Sequence, residues 1–444
     1  MLRPFRRPLG GALVGLALLS SPAVGQPDVD PAVQRLLDDV SSDRLERTVA
    51  TLAGFGTRHT LSPHDTPDRG IGAAADWIHA TLTAMSPRLL VTDDVYDIPA
   101  QGPRITRDVR IRNVMAVLPG RTPRRVYVSG HYDTVARVAD ASAFDWTRGD
   151  NPAPGANDDG SGTALTMEVA RVLAQSGVTF DATLVFIAFA GEEQGLVGAH
   201  LHAQRMQDEQ VPIVAVFNND IVGNVESGVG VVDGESVRVF SDGPEDSDSR
   251  HLARFIQRQA ARYYPSHRVR LIARHDRFGR GGDHTAFNQR GVAGVRFTEA
   301  NEHYGRQHVA EDTPDGVDAA YLARNTRVNL AAVAVLALAP PAPATTSDRG
   351  APLLDRGPSG YDARLRWEVS PGATGYRVFW RDAWTPDWQH ERFVGDVTEL
   401  VLPGLSIDDH VFGVAAIGPG GHESTVSAYV NPPRTPVTIQ TRDR

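Results

Sequence analysis

"TLVFIAFAGEEQGLVG", residues 183–198, joins an apolar run directly to two adjacent glutamates, Glu192 and Glu193. A short apolar segment closed by glycine fits a buried strand of a parallel sheet. Neighbouring side chains of a strand point to opposite faces, and at the strand's end they can serve different tasks. An acidic solvated turn is the ordinary explanation for such a pair, so the flanking sequence has to decide between turn and site.

Outward from this stretch the pattern repeats. "NVMAVLPG", "RRVYVSG", "IVAVFNND" and "VAGVRFTE" are further β-rich runs that end in turns or polar residues. Between them, "SGTALTMEVARVLAQSG" and "HLARFIQRQAARYY" carry apolar residues near the 3.6 period of a helix. Alternation of this kind predicts an α/β domain with a mixed, largely parallel central sheet flanked by helices. Functional residues of such sheets gather beyond the carboxyl ends of the strands. His131 follows one run, Glu192 and Glu193 another, and Asp220 a third, so three strand ends place polar residues at one edge.

The chain has 444 residues, 41% hydrophobic and 22% charged, which suits two folded units with tails. Its net charge is −9, and Arg3, Arg6 and Arg7 account for three of its cations within the first 25 residues. No basic stripe is left to neutralise phosphates, which excludes nucleic acid as the expected partner. "MLRPFRRPLG", "GALVGLALLSS" and "PAVG" read as the charged, apolar and cleavage parts of a signal peptide over 1–25, implying an exported protein, periplasmic or extracellular. No later segment is apolar for long enough to span a membrane. There is no cysteine, so disulfides and thiolate ligands are excluded, and any metal must sit on His, Asp and Glu.

Residues 26–338 form the expected α/β domain. The Pro/Ala-rich "APPAPATTSDRGAP", 339–352, reads as an exposed linker. Beyond it, "ARLRWEVSPGATGYRVFWRD", "TELVLPGL" and "DDHVFGVAAIGPGGHES" are short alternating strands with Gly/Pro turns, predicting a small all-β sandwich over 353–434 and a tail over 435–444. This part resembles a fibronectin type III domain in the order of its tryptophan, tyrosine and leucine positions. That resemblance implies adhesion or polymer contact at a cell surface, or a mere spacer.

In the α/β domain the candidate ligands line up as His131 and Asp133 in "GHYDT", Asp158 and Asp159 in "APGANDDGSG", Glu192 and Glu193 in "GEEQG", Asp220 in "NNDIVGN" and His308 in "RQHVAEDT". Each alone has an ordinary explanation, since Asp before Gly is usually a turn or a helix cap. Together they suit a borderline cation such as Zn²⁺, which takes imidazole nitrogen and carboxylate oxygen. Two ions about 3.5–4 Å apart share a ligand, and a carboxylate can bridge where an imidazole normally does not. One of the adjacent glutamates can then bind metal while the other moves a proton.

The ordered motifs "GHYDT", "PGANDDGSG", "FAGEEQGLVG", "NNDIVGN" and "HVAEDT" resemble the M28 peptidases, zinc exopeptidases of phosphorylase/hydrolase-like fold that include bacterial aminopeptidases. The resemblance implies two co-catalytic zinc ions: His131 and Asp220 on one, Glu193 and His308 on the other, and Asp158 on both. It implies Glu192 as general base, Asp133 as the carboxylate that orients a ligand imidazole, and Asp159 as a loop-shaping residue. The implied substrate is a peptide with a free N-terminus. "GRGGDHTAF" resembles a stretch near the family's substrate pocket and nominates Asp283 and His284. Tyr304 is a further candidate, because Gln307 precedes His308 where some relatives have an oxyanion-stabilising tyrosine. Carboxypeptidase, dipeptidase or glutaminyl cyclase activity on the same fold, and a non-catalytic surface-binding protein, are the alternatives.

Overall fold

A computed structural model describes residues 29–137 and 146–431. The expected signal peptide and the tail over 435–444 lie outside the described residues. The first unit comprises α1 (Pro31–Asp38), α2 (Ser42–Gly54), α3 (Gly70–Met85), β1 (Leu90–Ile98), β2 (Val109–Leu118), β3 (Thr122–His131), α4 (Gly160–Gln175), β4 (Ala182–Phe189), α5 (Val197–Asp208) and β5 (Ile213–Asn219). It continues through β6 (Ser236–Ser241), α6 (Asp248–Tyr263), β7 (Arg268–Ile272), α7 (His284–Asn288), β8 (Gly294–Glu299) and α8 (Ala319–Leu338).

The opening apolar run is β4, buried at every position. It lies inside an eight-stranded sheet of order β1-β2-β4-β3-β5-β8-β6-β7. The four strands β4, β3, β5 and β8 run parallel, while β2 and β6 pair antiparallel to either side of them. One face of the sheet packs against α2, α3, α4, α6 and α8 through Leu52, Ile78, Leu165, Phe255 and Val333. The other face packs against α5 and α7 through Ala199, Ala203, Ala286 and Phe287, with Tyr127 and Phe189 from the strands. Coverage on both faces is why β4 reads as a continuous apolar run rather than as an alternation. Because β3, β4 and β5 are parallel, their carboxyl ends, and so His131, Glu192, Glu193 and Asp220, fall at one edge.

The segment before the sheet is part of this body. Leu36 and Leu37 of α1 and Leu45, Val49 and Leu52 of α2 are buried in the same core. Asp30 caps α1 by accepting the N–H of Ala32 at 2.7 Å, and Ser41 caps α2 by accepting that of Arg44 at 3.3 Å.

The C-terminal unit has β9 (Leu354–Asp355), β10 (Ala363–Arg366), β11 (Gly375–Asp382), β12 (His390–Gly395), β13 (Glu399–Leu402), β14 (His410–Ile417) and β15 (Ser427–Ala428). They form antiparallel sheets of order β13-β10-β9 and β12-β11-β14-β15. Leu365, Trp367 and Leu402 from one side meet Tyr376, Val378, Phe412 and Val414 from the other in a common core, a β-sandwich. The expectation of an exposed linker over 339–352 is corrected. Ala339 is fully buried, the Ala344 carbonyl accepts the Glu368 N–H at 2.9 Å, and Thr345 donates to the Ala428 carbonyl at 3.0 Å. Buried Pro340, Pro343 and Thr345 alternate with exposed Ala342 and Ala344, and an exposed turn follows at 348–350. Proline and alanine suit an edge strand packed on a sheet as well as they suit a free spacer.

The two units are tied by buried polar contacts. The Nη2 of Arg381 on β11 donates to both carboxylate oxygens of Asp246, at 2.7 and 2.9 Å. Glu423 takes Arg258 of α6 and Arg377 of β11, and His422 pairs with Asp30 at 2.8 Å. His251 of α6 stacks on Trp388 with ring centroids 5.9 Å apart. No helix among the described residues is long and apolar enough to cross a membrane.

Candidate metal centre

His131 ends β3 with its side chain buried. Its Nε2 faces Asp158 Oδ1 at 3.4 Å and Asp220 Oδ1 at 3.8 Å. The His308 Nε2 faces Asp158 Oδ2 at 3.1 Å and Glu193 Oε1 at 3.1 Å. The Asp158 carboxylate therefore lies between the two imidazoles, one oxygen toward each. His131, Asp158 and Asp220 form one potential ligand set and Asp158, Glu193 and His308 another, with donor atoms of each within 4.8 Å of one another.

The loops that carry these groups are held by buried side chains. Asp159 accepts the N–H groups of His131, Gly162 and Ile221 at 3.0, 2.8 and 3.1 Å, capping α4 and fixing the ends of β3 and β5. This is the loop-shaping role the sequence implies for it. Asp312 accepts the N–H groups of Asn157 and Asp158, each at 2.9 Å. Arg58, fully buried, donates to the carbonyls of Leu52, Tyr132, Pro154 and Gly155 and so ties the His131 strand end to the Asp158 loop. Arg296, also fully buried on β8, pairs with Asp220 Oδ1 at 2.9 Å and with Asp276 Oδ2 at 3.0 Å.

Asp133 stands beside the His131 imidazole with two groups. Its backbone carbonyl, not its carboxylate, is the nearer partner of His131 Nδ1, at 3.1 against 3.6 Å. That contact leaves Nε2 to present its lone pair to a metal. The carboxylate also accepts the backbone N–H groups of Glu192 and Glu193, each at 3.1 Å, and so sets the turn bearing both glutamates. Thr60 hydrogen-bonds Gln194 beside it.

A cavity of about 390 Å³ opens onto this cluster, lined in part by His131, Asp158, Glu192, Glu193, Asp220 and His308. Glu192 belongs to neither ligand set yet stands on the cavity wall, 3.9 Å from His131. Asp283, His284 and Tyr304 do not line the cavity. Asp283 and His284 are fully buried, and Tyr304, in a short 3-10 turn, is 62% exposed. Lying four residues before His308 does not turn Tyr304 inward, because the 3-10 turn ends at Arg306 and Gln307 is extended. The sequence reading missed Arg58, Asp312 and Arg296. An arginine inside the apolar run "VAGVRFTE" was the one visible sign of the last.

The electrostatics call for cations. Burial pushes the Glu192 carboxyl well up, reinforced by Asp220 and Glu193 against the pull of His131. Burial opposes charge on His308, yet Glu193 and Asp158 outweigh it and raise the imidazole to about 10. Burial likewise opposes ionisation of Asp158, and His131 and His308 overcome it, holding that carboxyl well below its usual range. Asp158 Oδ2 and Glu193 Oε1 are buried acceptors without a hydrogen-bond partner among the described residues. Orphaned carboxylate oxygens facing imidazole nitrogens are what a bound cation satisfies.

Two imidazole–carboxylate sets at the carboxyl edge of a parallel sheet, with a spare glutamate on the cavity wall, are the equipment of a metal-dependent hydrolase. Residues 113–333 match Peptidase family M28. A "Probable zinc metalloprotease" of Pyricularia oryzae is 39% identical over 439 residues, covering 90% of this chain and 84% of the relative. The chain belongs to peptidase family M28 and is a zinc metallopeptidase. Among solved structures, the LapA aminopeptidase of Legionella pneumophila superposes with a TM-score of 0.54 at 21% identity, covering 72% of this chain and 78% of that one. Porphyromonas gingivalis glutaminyl cyclase gives 0.53 at 18%, covering 66% and 98%. These two likenesses are of fold.

Proposed function

We propose that the protein is an exported aminopeptidase that removes N-terminal residues from peptides with two zinc ions. His131 and Asp220 would hold one ion, Glu193 and His308 the other, and Asp158 both. The donor set fits, with two nitrogens and three carboxylates, and Asp158 offers one oxygen to each side. Bound zinc supplies Lewis acidity and lowers the pKa of water to about 7. Glu192 accepts the proton of the attacking water and delivers it to the leaving amine nitrogen. Asp133 keeps Glu192 in place through its backbone N–H. The acid-rich wall, with Glu193 and Asp220 foremost, attracts the substrate's α-ammonium.

The observation that carries this reading is Glu192, a carboxylate left over on the cavity wall once both ligand sets are filled. Export rests on the charged and apolar pattern of the first 25 residues. Seven antiparallel strands in sheets of three and four support reading the C-terminal sandwich as a fibronectin type III domain.

The test uses zinc-loaded protein and short peptides offered with free and with acetylated N-termini, alongside Glu192→Gln. Release of the first residue from free peptides only, lost in the variant while zinc content is kept, is the expected result. Cleavage indifferent to acetylation would overturn the aminopeptidase assignment. Full activity in the variant would remove Glu192 from the mechanism.

A further inference from the structure

The cavity lining also carries the opposite sign. Arg104, Arg277 and Arg280 belong to it together with Leu196, Gly279 and Gly281. Two of the three cations are engaged. Arg277 Nη1 pairs with Glu302 at 2.5 Å and its Nε with Asp276 at 3.1 Å. Arg104 Nη1 donates to the Glu193 carbonyl at 3.0 Å, and its guanidinium lies 3.8 Å from the Trp146 ring centroid. Arg280 is half-buried, and its guanidinium makes no hydrogen bond or ion pair with any described residue. It forms no ion pair with any of the four carboxylates that line the same cavity.

Its backbone, by contrast, is fixed. The Arg280 N–H donates to the Arg277 carbonyl at 3.2 Å, and the Gly281 carbonyl accepts Arg296 Nη1 at 2.6 Å. Arg277 and Arg296 are both anchored on Asp276. Buried ion pairs of Arg277 and Arg296 therefore hold the loop in place, while Arg280, without a counter-ion among the described residues, lines the cavity. A guanidinium that gives up part of its hydration without a counter-ion is unfavourable until a ligand supplies one, and its planar fork matches a carboxylate.

We propose that Arg280 forms a carboxylate subsite, so that the preferred substrates are peptides carrying a carboxylate beside the scissile bond. The inference rests on the aminopeptidase reading. The α-ammonium goes to the acidic residues and the carboxylate to Arg280, which gives the bound peptide its direction. An acidic side chain and the free carboxyl terminus of a dipeptide share this chemistry.

The experiment compares kcat/KM for acid and isosteric amide pairs in zinc-loaded wild type, Arg280→Ala and Arg280→Lys. The pairs are Glu against Gln and Asp against Asn at the first and second positions, and dipeptides against their C-terminal amides. Wild type is expected to favour the acid of at least one pair by about ten- to a hundredfold, the range of a charge-assisted hydrogen bond. Arg280→Ala should bring that ratio toward one, and Arg280→Lys should fall between. The pair that shows the effect identifies the source of the carboxylate. A wild-type ratio near one in every pair, or a ratio untouched by Arg280→Ala, overturns the proposal. Binding of the same pairs to the zinc-loaded Glu192→Gln protein, read by calorimetry, separates the two readings. Without any turnover the aminopeptidase reading fails, while an Arg280-dependent affinity for the acid still establishes the subsite and its absence rejects it.

Discussion

Asp133→Asn tests how the metal centre is built. The carboxylate is fully buried and accepts two peptide N–H groups, those of Glu192 and Glu193, each at 3.1 Å. Asparagine keeps one acceptor oxygen and replaces the other with a donor, so one of the two N–H groups loses its partner. A buried polar group left unpaired costs about 1–3 kcal/mol, and the surviving bond loses the assistance of the charge. Together the loss is about 2–4 kcal/mol of stability, a substantial part of the 5–15 kcal/mol typical of a folded domain. The functional loss should fall on the glutamates, because the His131 imidazole keeps the backbone carbonyl of residue 133 at 3.1 Å. Zinc affinity should therefore drop about 10–100-fold at the half containing Glu193 and His308. A double-mutant cycle reads this directly. Asp133→Asn is introduced into His131→Ala, where that half remains, and into Glu193→Ala, where the His131 half remains, and zinc binding is followed by calorimetry. Weakening in the first background and little change in the second is expected. The reverse pattern, or a metal-free stability within 1 kcal/mol of wild type, would refute the clamp and assign Asp133 to the imidazole.

Three further outcomes are expected. Chelation of zinc should abolish peptidase activity and lower the melting temperature, with both restored by zinc; an ion at a thousandfold excess over its Kd contributes about 4.1 kcal/mol, so an unchanged melting temperature would argue against the buried sites described above. Arg296→Met should destabilise the protein by about 3–5 kcal/mol in urea, since it leaves Asp220 and Asp276 buried without their shared cation; a loss below 1 kcal/mol would show that the pairing is dispensable. The third outcome concerns pH. Burial, and then Arg254, push the His251 imidazole down to about 4, with Arg381 and Arg258 acting in the same sense and Asp246 against. Its folded pKa lies below the unfolded value of about 6.5, so its contribution is complete above pH 6.5 and is lost as pH falls from there toward 4, at about 1.4 kcal/mol per pH unit. His251→Phe, which retains a ring against Trp388, should flatten the pH dependence of stability in that window; an identical slope in wild type and variant would exclude His251 as its source.

The parts of the site legible in the sequence are those whose signal is local. Each expected metal ligand lies within a short motif, and four of the five sit at a strand end or in a turn leading into a helix. The parallel sheet then does the assembling, which is why His131, Glu193 and Asp220 could be brought together before any geometry was known. Asp133 was recognisable as a site residue, but its partners, two backbone N–H groups 59 and 60 positions away, depend on the pairing of β3 with β4. Arg58 illustrates the opposite case. In "GFGTRHT" it reads as a solvated loop residue, and only the approach of carbonyls from residues 52, 132, 154 and 155 makes it a buried clamp. Composition failed at 339–352 for a related reason, since it does not distinguish a spacer from a packed edge.

These buried arginines bear on how a chain without a single cysteine positions a centre that tolerates little displacement. Arg58 ties the segment at Leu52 to two of the loops that carry ligands. Arg296, Asp276, Arg277 and Glu302 run from the proposed ligand Asp220 to the cavity wall, and Glu302 also accepts Gln307 at 2.9 Å, the neighbour of the proposed ligand His308. Desolvation offsets much of the attraction in such pairs, so they are poor sources of net stability relative to apolar packing. Their geometry is strict, because a guanidinium presents its donors in a fixed plane. Apolar residues of similar volume could fill the space, but they would leave the backbone carbonyls unpaired and the loops free to shift. A metal-dependent site needs its ligands held to within about 0.5 Å. The arginine network therefore belongs to the precision of the centre more than to the stability of the fold, and both ligand sets meet it, one at Asp220 and the other beside His308.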